Sequence, residues 1–316
     1  MKKLPVSIAV VFFIFFSCKK DSLPEVTTKT ISSIKTNSAL SGENVISDGG
    51  DIISARGICW SLKENPTIAD GKTNDGTGSG VFESILSGLF PNTTYLARAY
   101  ATNSLGTTYG SEVVFTTRNK NVLVTDGDSR TDGWNCSYKY PYWPLLSLEE
   151  SFDIYNTAFG GLTTADLVSR AEDNVDPKLS ISSRLNIVVF WAGVNDIAVQ
   201  DLPASTAYNN LVSYCTARKA KGWKVIVCTE VSMKGIGSGG VCDSLRTLLN
   251  DSIRANWVGF ADGIADLAAH KSIGYIGAYK DTSFFCDGIH LTNAGTVCVA
   301  EMISNAVNAL INGEVR

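Results

Sequence analysis

The sequence predicts an α/β protein: a parallel sheet with helices on both faces, in three layers, behind a smaller all-β sandwich. Three observations carry that expectation. From residue 121 onward, short apolar runs alternate with longer helical patterns, the order expected of βαβ units. Those runs are nearly continuous rather than alternating, as in strands covered on both faces. Between residues 26 and 118 the chain instead carries short Thr-, Val-, Ile- and Tyr-rich runs broken by Gly, Asn, Asp and Pro clusters, as a sandwich does.

The elements follow in chain order. "MKKLPVSIAVVFFIFFSC" opens with two lysines, continues with an apolar run from Leu4 to Phe16 and ends in Ser17-Cys18. That run is short for a membrane span and fits the apolar region of a secretory signal. A small residue directly before Cys resembles a bacterial lipoprotein signal, in which Cys18 becomes the lipidated first residue. Residues 1–17 would then be removed, residues 18–25 would form a linker, and the protein would be exported and held at the outer membrane by its lipid. A plain signal peptide cleaved near Ser17 is the alternative. No later stretch reads as a membrane span.

Export would expose the eight cysteines to oxidation. None shows CxxC spacing, which argues against a zinc ribbon. Cys215 falls on a helical pattern and Cys228 in a β run, so both read as small buried hydrophobes. Cys242 and Cys286 fall in loop-like stretches and could pair.

Residues 26–118 read as one sandwich domain. "TIADGKTNDGTGSG" is a long turn-rich connection. "TTYLARAYATN" alternates with period two, placing Tyr95, Ala97 and Ala99 on one face and Leu96, Arg98 and Tyr100 on the other. "GSEVVFTT" closes the domain as a last strand. "ARGICWS", "NPTIADGKT", "LFPNTTYLARAYATNSLGTTYG" and the final "FTT" resemble the fibronectin type III-like modules of exported Bacteroidota proteins. Such a module implies a spacer or binding platform, with Trp60 and Tyr95 as core and corner residues.

"RNK" (118–120) reads as a joint before a second domain, 121–316. Its expected strands are "NVLVTD", "SFDIYNTA", "NIVVFWAG", "KVIVCTE" and "WVGFAD". Its expected helices are "TADLVSRAEDNV", "TAYNNLVSYCTARKAKG", "CDSLRTLLNDSIRAN" and "TNAGTVCVAEMISNAVNALI".

Ligands of an open α/β sheet bind beyond the carboxyl ends of its strands. After the first strand come Gly127, Asp128 and Ser129; after the second, Gly160 and Gly161; after the third, Gly193, Asn195 and Asp196. Before the last helix, "CDGIHLTNAG" adds Asp287 and His290. A serine, exposed backbone amides, an asparagine and an Asp/His pair are the parts of acyl transfer. The chain has only two histidines, His270 and His290. His270 falls at the tail of a helical pattern, whereas His290 lies three residues after Asp287. So few histidines exclude a histidine-rich metal site, and a net charge of −4 gives no field for nucleic acid. No serine stands in a G-x-S-x-G elbow, which argues against the α/β-hydrolase fold.

"TDGDSRTDGW", "NTAFGGLTTADL", "VVFWAGVNDI" and "DGIHLTNAG" resemble, in order, the four blocks of the SGNH/GDSL hydrolase family, over about residues 121–312. The resemblance implies a flavodoxin-like parallel sheet and a serine esterase that uses neither metal nor organic cofactor. It assigns Ser129 as nucleophile, His290 as base and Asp287 as its orienter. The Ser129 and Gly161 amides and the Asn195 side chain become oxyanion donors, while Asp128 and Asp196 shape loops. Leu162 stands where the family often has a polar residue. Aromatics follow the serine closely in "GWNCSYKYPYWPLL", interleaved with Asn, Ser and Lys. That suits a wet cleft whose rings stack on sugars, with Trp134 or Trp143 against the substrate. The expected substrate is an acetylated polysaccharide. The alternatives are a lipase or acyl hydrolase of the same family and a non-catalytic glycan-binding lipoprotein.

Overall fold

The computed structural model describes residues 21–134, 140–236 and 242–313. Cys18, Cys136 and Tyr138 lie outside the described residues. The chain divides into two compact units after Thr117.

The first unit holds β1 (Glu25–Val26), β2 (Ser38–Ser47), β3 (Ala55–Ser61), β4 (Gly71–Lys72), β5 (Gly80–Ser87), β6 (Thr94–Asn103), β7 (Gly106–Tyr109) and β8 (Val113–Thr116). One sheet has the order β1-β2-β5 and the other β4-β3-β6-β7, with β8 also on β6. All of these pairs are antiparallel. Val45, Phe82 and Leu86 of the first sheet share one buried cluster with Ile58, Ala97 and Ala99 of the second. The period-two pattern of β6 makes this possible, because it sends Tyr95, Ala97 and Ala99 to the same buried face. Tyr95 stacks on Phe115 at 5.7 Å, and its hydroxyl accepts the Phe90 N–H at 3.0 Å. Trp60 packs, partly buried, against the same core.

The second unit runs β9 (Asn121–Gly127), α1 (Ser129–Asp132), β10 (Phe152–Asn156), α2 (Thr164–Asn174), β11 (Asn186–Trp191), α3 (Ala204–Ala220), β12 (Lys224–Cys228), α4 (Cys242–Asn256), β13 (Gly263–Ala265) and α5 (Asn293–Asn312). The sheet order is β10-β9-β11-β12-β13, every neighbour parallel. Successive side chains of each strand go to opposite faces. Val122, Val124, Val188 and Phe190 therefore pack with Leu167, Leu211 and Leu249 of α2, α3 and α4. Leu123, Ile187 and Val189 pack on the other face with Val299, Ile303 and Val307 of α5. Both faces are covered by helices, so the strands read as unbroken apolar runs.

Three expectations need correction. "WVGFAD" is not a strand: Trp257–Gly259 form a 3-10 turn after α4. Phe260 N–H and Ala261 N–H both donate to the Trp257 carbonyl, at 3.0 and 2.7 Å, and the strand starts only at Gly263. Asp262 makes the transition, its carboxylate accepting the Val225 N–H at 3.0 Å and drawing the chain alongside β12. Next, α5 is long and apolar enough to cross a membrane by length and composition, but half of it is buried within this fold. Finally, the Cys242–Cys286 pair does not form, since Cys286 is disulfide-bonded while Cys242 is a free buried thiol. Cys215 and Cys228 are also buried free thiols, as expected.

Candidate active site

The sheet order reverses at β9: the chain leaves it for β10 on one side and returns to β11 on the other. A crevice opens at the carboxyl ends where such a reversal occurs, and Ser129 stands at its centre. The turn that presents Ser129 is dictated by close approach. A Cβ on Gly127 would lie 2.0 Å from the Trp191 carbonyl oxygen, so only glycine fits there. Asp128 then caps the single turn of α1, its carboxylate accepting the Arg130 N–H at 3.0 Å. Ser129 N–H opens that turn, where amides have no partner within the helix.

His290 arrives from the irregular segment before α5. Its Nε2 lies 2.9 Å from Ser129 Oγ and its Nδ1 2.7 Å from Asp287 Oδ2. A carboxylate only accepts, so Nδ1 carries the proton and Nε2 is free to accept from the serine hydroxyl. Asp287 Oδ1 also takes the N–H groups of Ile289 and His290, at 2.8 and 2.7 Å. Burial raises the Asp287 carboxyl, but hydrogen bonds from the His290 ring and the two amides outweigh it and hold it below the ordinary value. The three side chains form one hydrogen-bonded chain that can move a proton off Ser129 Oγ. His270 lies outside this chain: it follows a 3-10 turn, and its Nδ1 accepts the Ser272 N–H at 3.2 Å.

Gly161 and Asn195 flank Ser129 in the same cleft. Gly161 adopts φ +83°, in the left-handed region that glycine enters at no steric cost. Asn195 opens a short π-helical turn, Asn195–Val199. One N–H of its side-chain amide donates to the Leu162 carbonyl at 2.8 Å, which orients the group and leaves its second N–H for a ligand. Asp196 is buried and holds α2, accepting the Thr164 N–H at 2.9 Å and the Thr164 hydroxyl at 2.6 Å. Asp128 and Asp196 are thus structural, and burial raises the carboxyl of each.

The cleft has a volume of about 460 Å³. Trp134, Phe159, Val199, Ile236 and Ile289 line it beside the polar groups. Trp134 is exposed, with its ring centre 6.0 Å from that of His290. Trp143 is a correction, because it packs against the core on the α5 face of the sheet and does not line the cleft. Tyr142, in the same segment, is wholly buried. A 3-10 turn at Trp143–Leu145 carries both rings inward.

Sequence reasoning missed the support beneath the site. Arg130 and Glu230 are fully buried and joined at 2.8 Å. The rule of strand ends could have found Glu230, which follows β12 as Asp128 follows β9. Phe159, Val199 and Ile236 carry no signal in a single sequence, since an exposed apolar side chain is ordinary.

The GDSL-like lipase/acylhydrolase family model matches residues 127–296. No curated protein sequence matches the chain. Among solved structures, a member of the lipolytic G-D-S-L family from Veillonella parvula is 17% identical at TM-score 0.48, covering 58% of this chain and 97% of its own. The acetylxylan esterase Axe2 of Geobacillus stearothermophilus is 15% identical at TM-score 0.44, covering 58% and 92%. A lipase/acylhydrolase from Enterococcus faecalis is 18% identical at TM-score 0.41, covering 62% and 97%. The family match spans over half of the 316 residues and starts at the glycine before the Asp128-Ser129 turn, so the chain belongs to the GDSL-like lipase/acylhydrolase family and is a hydrolase of esters.

Proposed function

We propose that Ser129 is the nucleophile of a serine esterase acting through an acyl-enzyme, and that the substrate is an acetylated polysaccharide. One observation carries the mechanism: the unbroken Ser129–His290–Asp287 chain, with bonds of 2.9 and 2.7 Å. His290 Nε2 takes the hydroxyl proton as Ser129 Oγ bonds to the ester carbonyl carbon. The carbonyl oxygen gains the electron pair and is met by the Ser129 and Gly161 amides and the second N–H of Asn195. The tetrahedral adduct expels the alcohol, which leaves with the proton from His290. Water then repeats the sequence, yielding the acid and free Ser129. Asp287 holds the imidazole in one tautomer and stabilises its cation.

The glycan assignment rests on Trp134, an exposed ring on the cleft beside the base, placed where a sugar face could stack. A second reading has its own support: Phe159, Val199 and Ile236 add exposed apolar surface to the same cleft and would suit a longer acyl chain. Acetate release from acetylated xylan and other acetylated glycans, compared with hydrolysis of esters of two to twelve carbons, decides between them. Preference for eight or more carbons, or no acetate release, overturns the glycan assignment. Absence of labelling by a fluorophosphonate in wild type, or labelling unchanged in Ser129→Ala, overturns the nucleophile.

In this reading the protein is exported and anchored through a lipid on Cys18, with the β-sandwich as a fibronectin type III-like spacer. Cys18→Ser should release it from the membrane fraction. Retention there without lipid incorporation in wild type argues against that anchor.

A further inference from the structure

We infer that Arg130, balanced by Glu230, is a positioning residue that sets His290 against Ser129. The inference rests on Ser129 and His290 acting as nucleophile and base. His290 stands on a segment between the 3-10 turn Ala278–Lys280 and α5 that contributes only an isolated bridge, Phe285 to Leu291. No strand or helix fixes its distance from Ser129, 161 residues away in the chain.

The Arg130 side chain supplies that fixing. Its Nε donates to the Ile289 carbonyl at 2.9 Å, its Nη1 to Glu230 at 2.8 Å and its Nη2 to the Ser232 carbonyl at 3.3 Å. The carbonyl of Ile289 and the N–H of His290 belong to one peptide group. That N–H donates to Asp287 Oδ1 at 2.7 Å. One peptide plane is therefore held on its oxygen by a cation and on its hydrogen by the carboxylate that also holds the imidazole. A cation on the oxygen polarises the amide and strengthens the bond on its far side. Because Arg130 directly follows Ser129, the nucleophile and the base are tied through a few rigid bonds.

Glu230 is built to serve Arg130. Its backbone is pinned by Asn250, whose side chain accepts the Glu230 N–H at 2.7 Å and donates to the Glu230 carbonyl at 2.8 Å. Arg246 donates to the same carbonyl at 3.1 Å. Among the described residues the carboxylate then has one hydrogen-bond partner, Arg130, and its Oε1 has none. A buried carboxylate so thinly satisfied is costly. A core that needed only stability would be served as well by apolar side chains of the same volume. Neither Arg130 nor Glu230 lines the cleft.

The test separates positioning from packing. Arg130→Met alone strands a buried charge and should destabilise the protein. The double variant Arg130→Met/Glu230→Gln removes both charges. Its expected behaviour is a melting temperature near that of wild type, KM within about threefold, and kcat lower by about 10²-fold, the cost typical of a small misplacement. Recovery of kcat together with stability in the double variant overturns the inference and leaves an ordinary structural pair. Should the double variant not fold, Arg130→Lys decides. It keeps the charge for Glu230 but has no fork to reach Ile289 as well, so kcat should fall about tenfold at unchanged KM; wild-type turnover there overturns the inference. Ser129→Ala and His290→Ala, assayed alongside, report on the underlying mechanism separately: full activity in either would remove the base or nucleophile, whatever the Arg130 variants do.

Discussion

Two histidines of one chain can be given opposite expectations because only one has a carboxylate behind it. His290 sits between Ser129 and Asp287, whereas His270 accepts a local backbone N–H. His290→Ala should lower kcat/KM by at least about a thousandfold, while His270→Ala should leave kcat nearly unchanged. Equal losses in the two, measured on a chromogenic acetate ester, would unseat His290 as the base. Asn195 supports a different expectation. Its amide is held by the Leu162 carbonyl with one N–H to spare. Asn195→Ala should therefore lower kcat about 10²–10³-fold with a smaller change in KM, since an oxyanion donor works mainly in the transition state. An effect confined to KM would make it a substrate-binding residue. These side chains are legible in the sequence because each is a polar residue interrupting an apolar run at a strand end. Arg130 is not, since nothing about an arginine after a turn tells that it is buried. Trp143 misleads for the same reason: whether an aromatic faces a cleft or the core depends on the local turn.

At the scale of elements, the site depends on how α2 and the π-helical turn at Asn195–Val199 are tied. Asp196 belongs to that turn, yet both of its carboxylate oxygens serve Thr164 at the start of α2. The loop carrying Gly161 leads directly into α2, so one carboxylate couples the Gly161 loop to the turn that carries Asn195. Asp196→Ala should leave the buried Thr164 N–H without an acceptor, at about 1–3 kcal/mol, and leave the Thr164 hydroxyl with only the Asn210 amide, which donates to it at 3.1 Å. It should also lower kcat more than it raises KM, because Gly161 and Asn195, the proposed oxyanion donors, would lose register. Chemical denaturation and steady-state kinetics on the same sample check this; lost stability with kcat intact would confine Asp196 to the fold. The helices and most strands can be read from periodicity, as Thr164–Asn174 and Cys242–Asn256 show. The last strand cannot, for Gly263–Ala265 has three residues and no pattern of its own. It exists because β12 offers an open edge and Asp262 brings the chain to it. The π-helical turn has no sequence signature either, and arises where side-chain ties from two loops meet.

At the scale of the molecule, buried carboxyls set how stability depends on pH. In the second unit Asp126, Asp128, Asp196 and Glu230 are all raised, burial being the largest cause in each. Asp128 is pushed up to about 6; burial raises Glu230 as well, but the Arg130 cation 2.8 Å away opposes it and keeps that carboxylate ionised at neutral pH. An acid raised in the folded state holds a proton that the unfolded chain has already released. Its contribution to stability is thus complete below the ordinary carboxyl value of about 4 and is lost as pH rises through the folded value. Asp166 and Asp287 act in the opposite sense. The Asp166 carboxyl is lowered first by the Thr163 hydroxyl, and that of Asp287 is held down despite burial. Their contribution is present above about 4 and disappears as pH falls through their folded values. The two groups occupy separate windows, so the opposing slopes do not cancel. The midpoint of calorimetric unfolding should rise as pH is lowered from about 7 to about 5, and fall again below about 4. Asp128→Asn has no carboxyl to titrate and should flatten that slope while leaving the acid fall unchanged. A midpoint that stays level or rises between pH 5 and 7 would mean that the Arg130 charge and backbone N–H, the latter 3.0 Å from Asp128, keep the Asp128 carboxylate ionised in the folded protein and outweigh its burial.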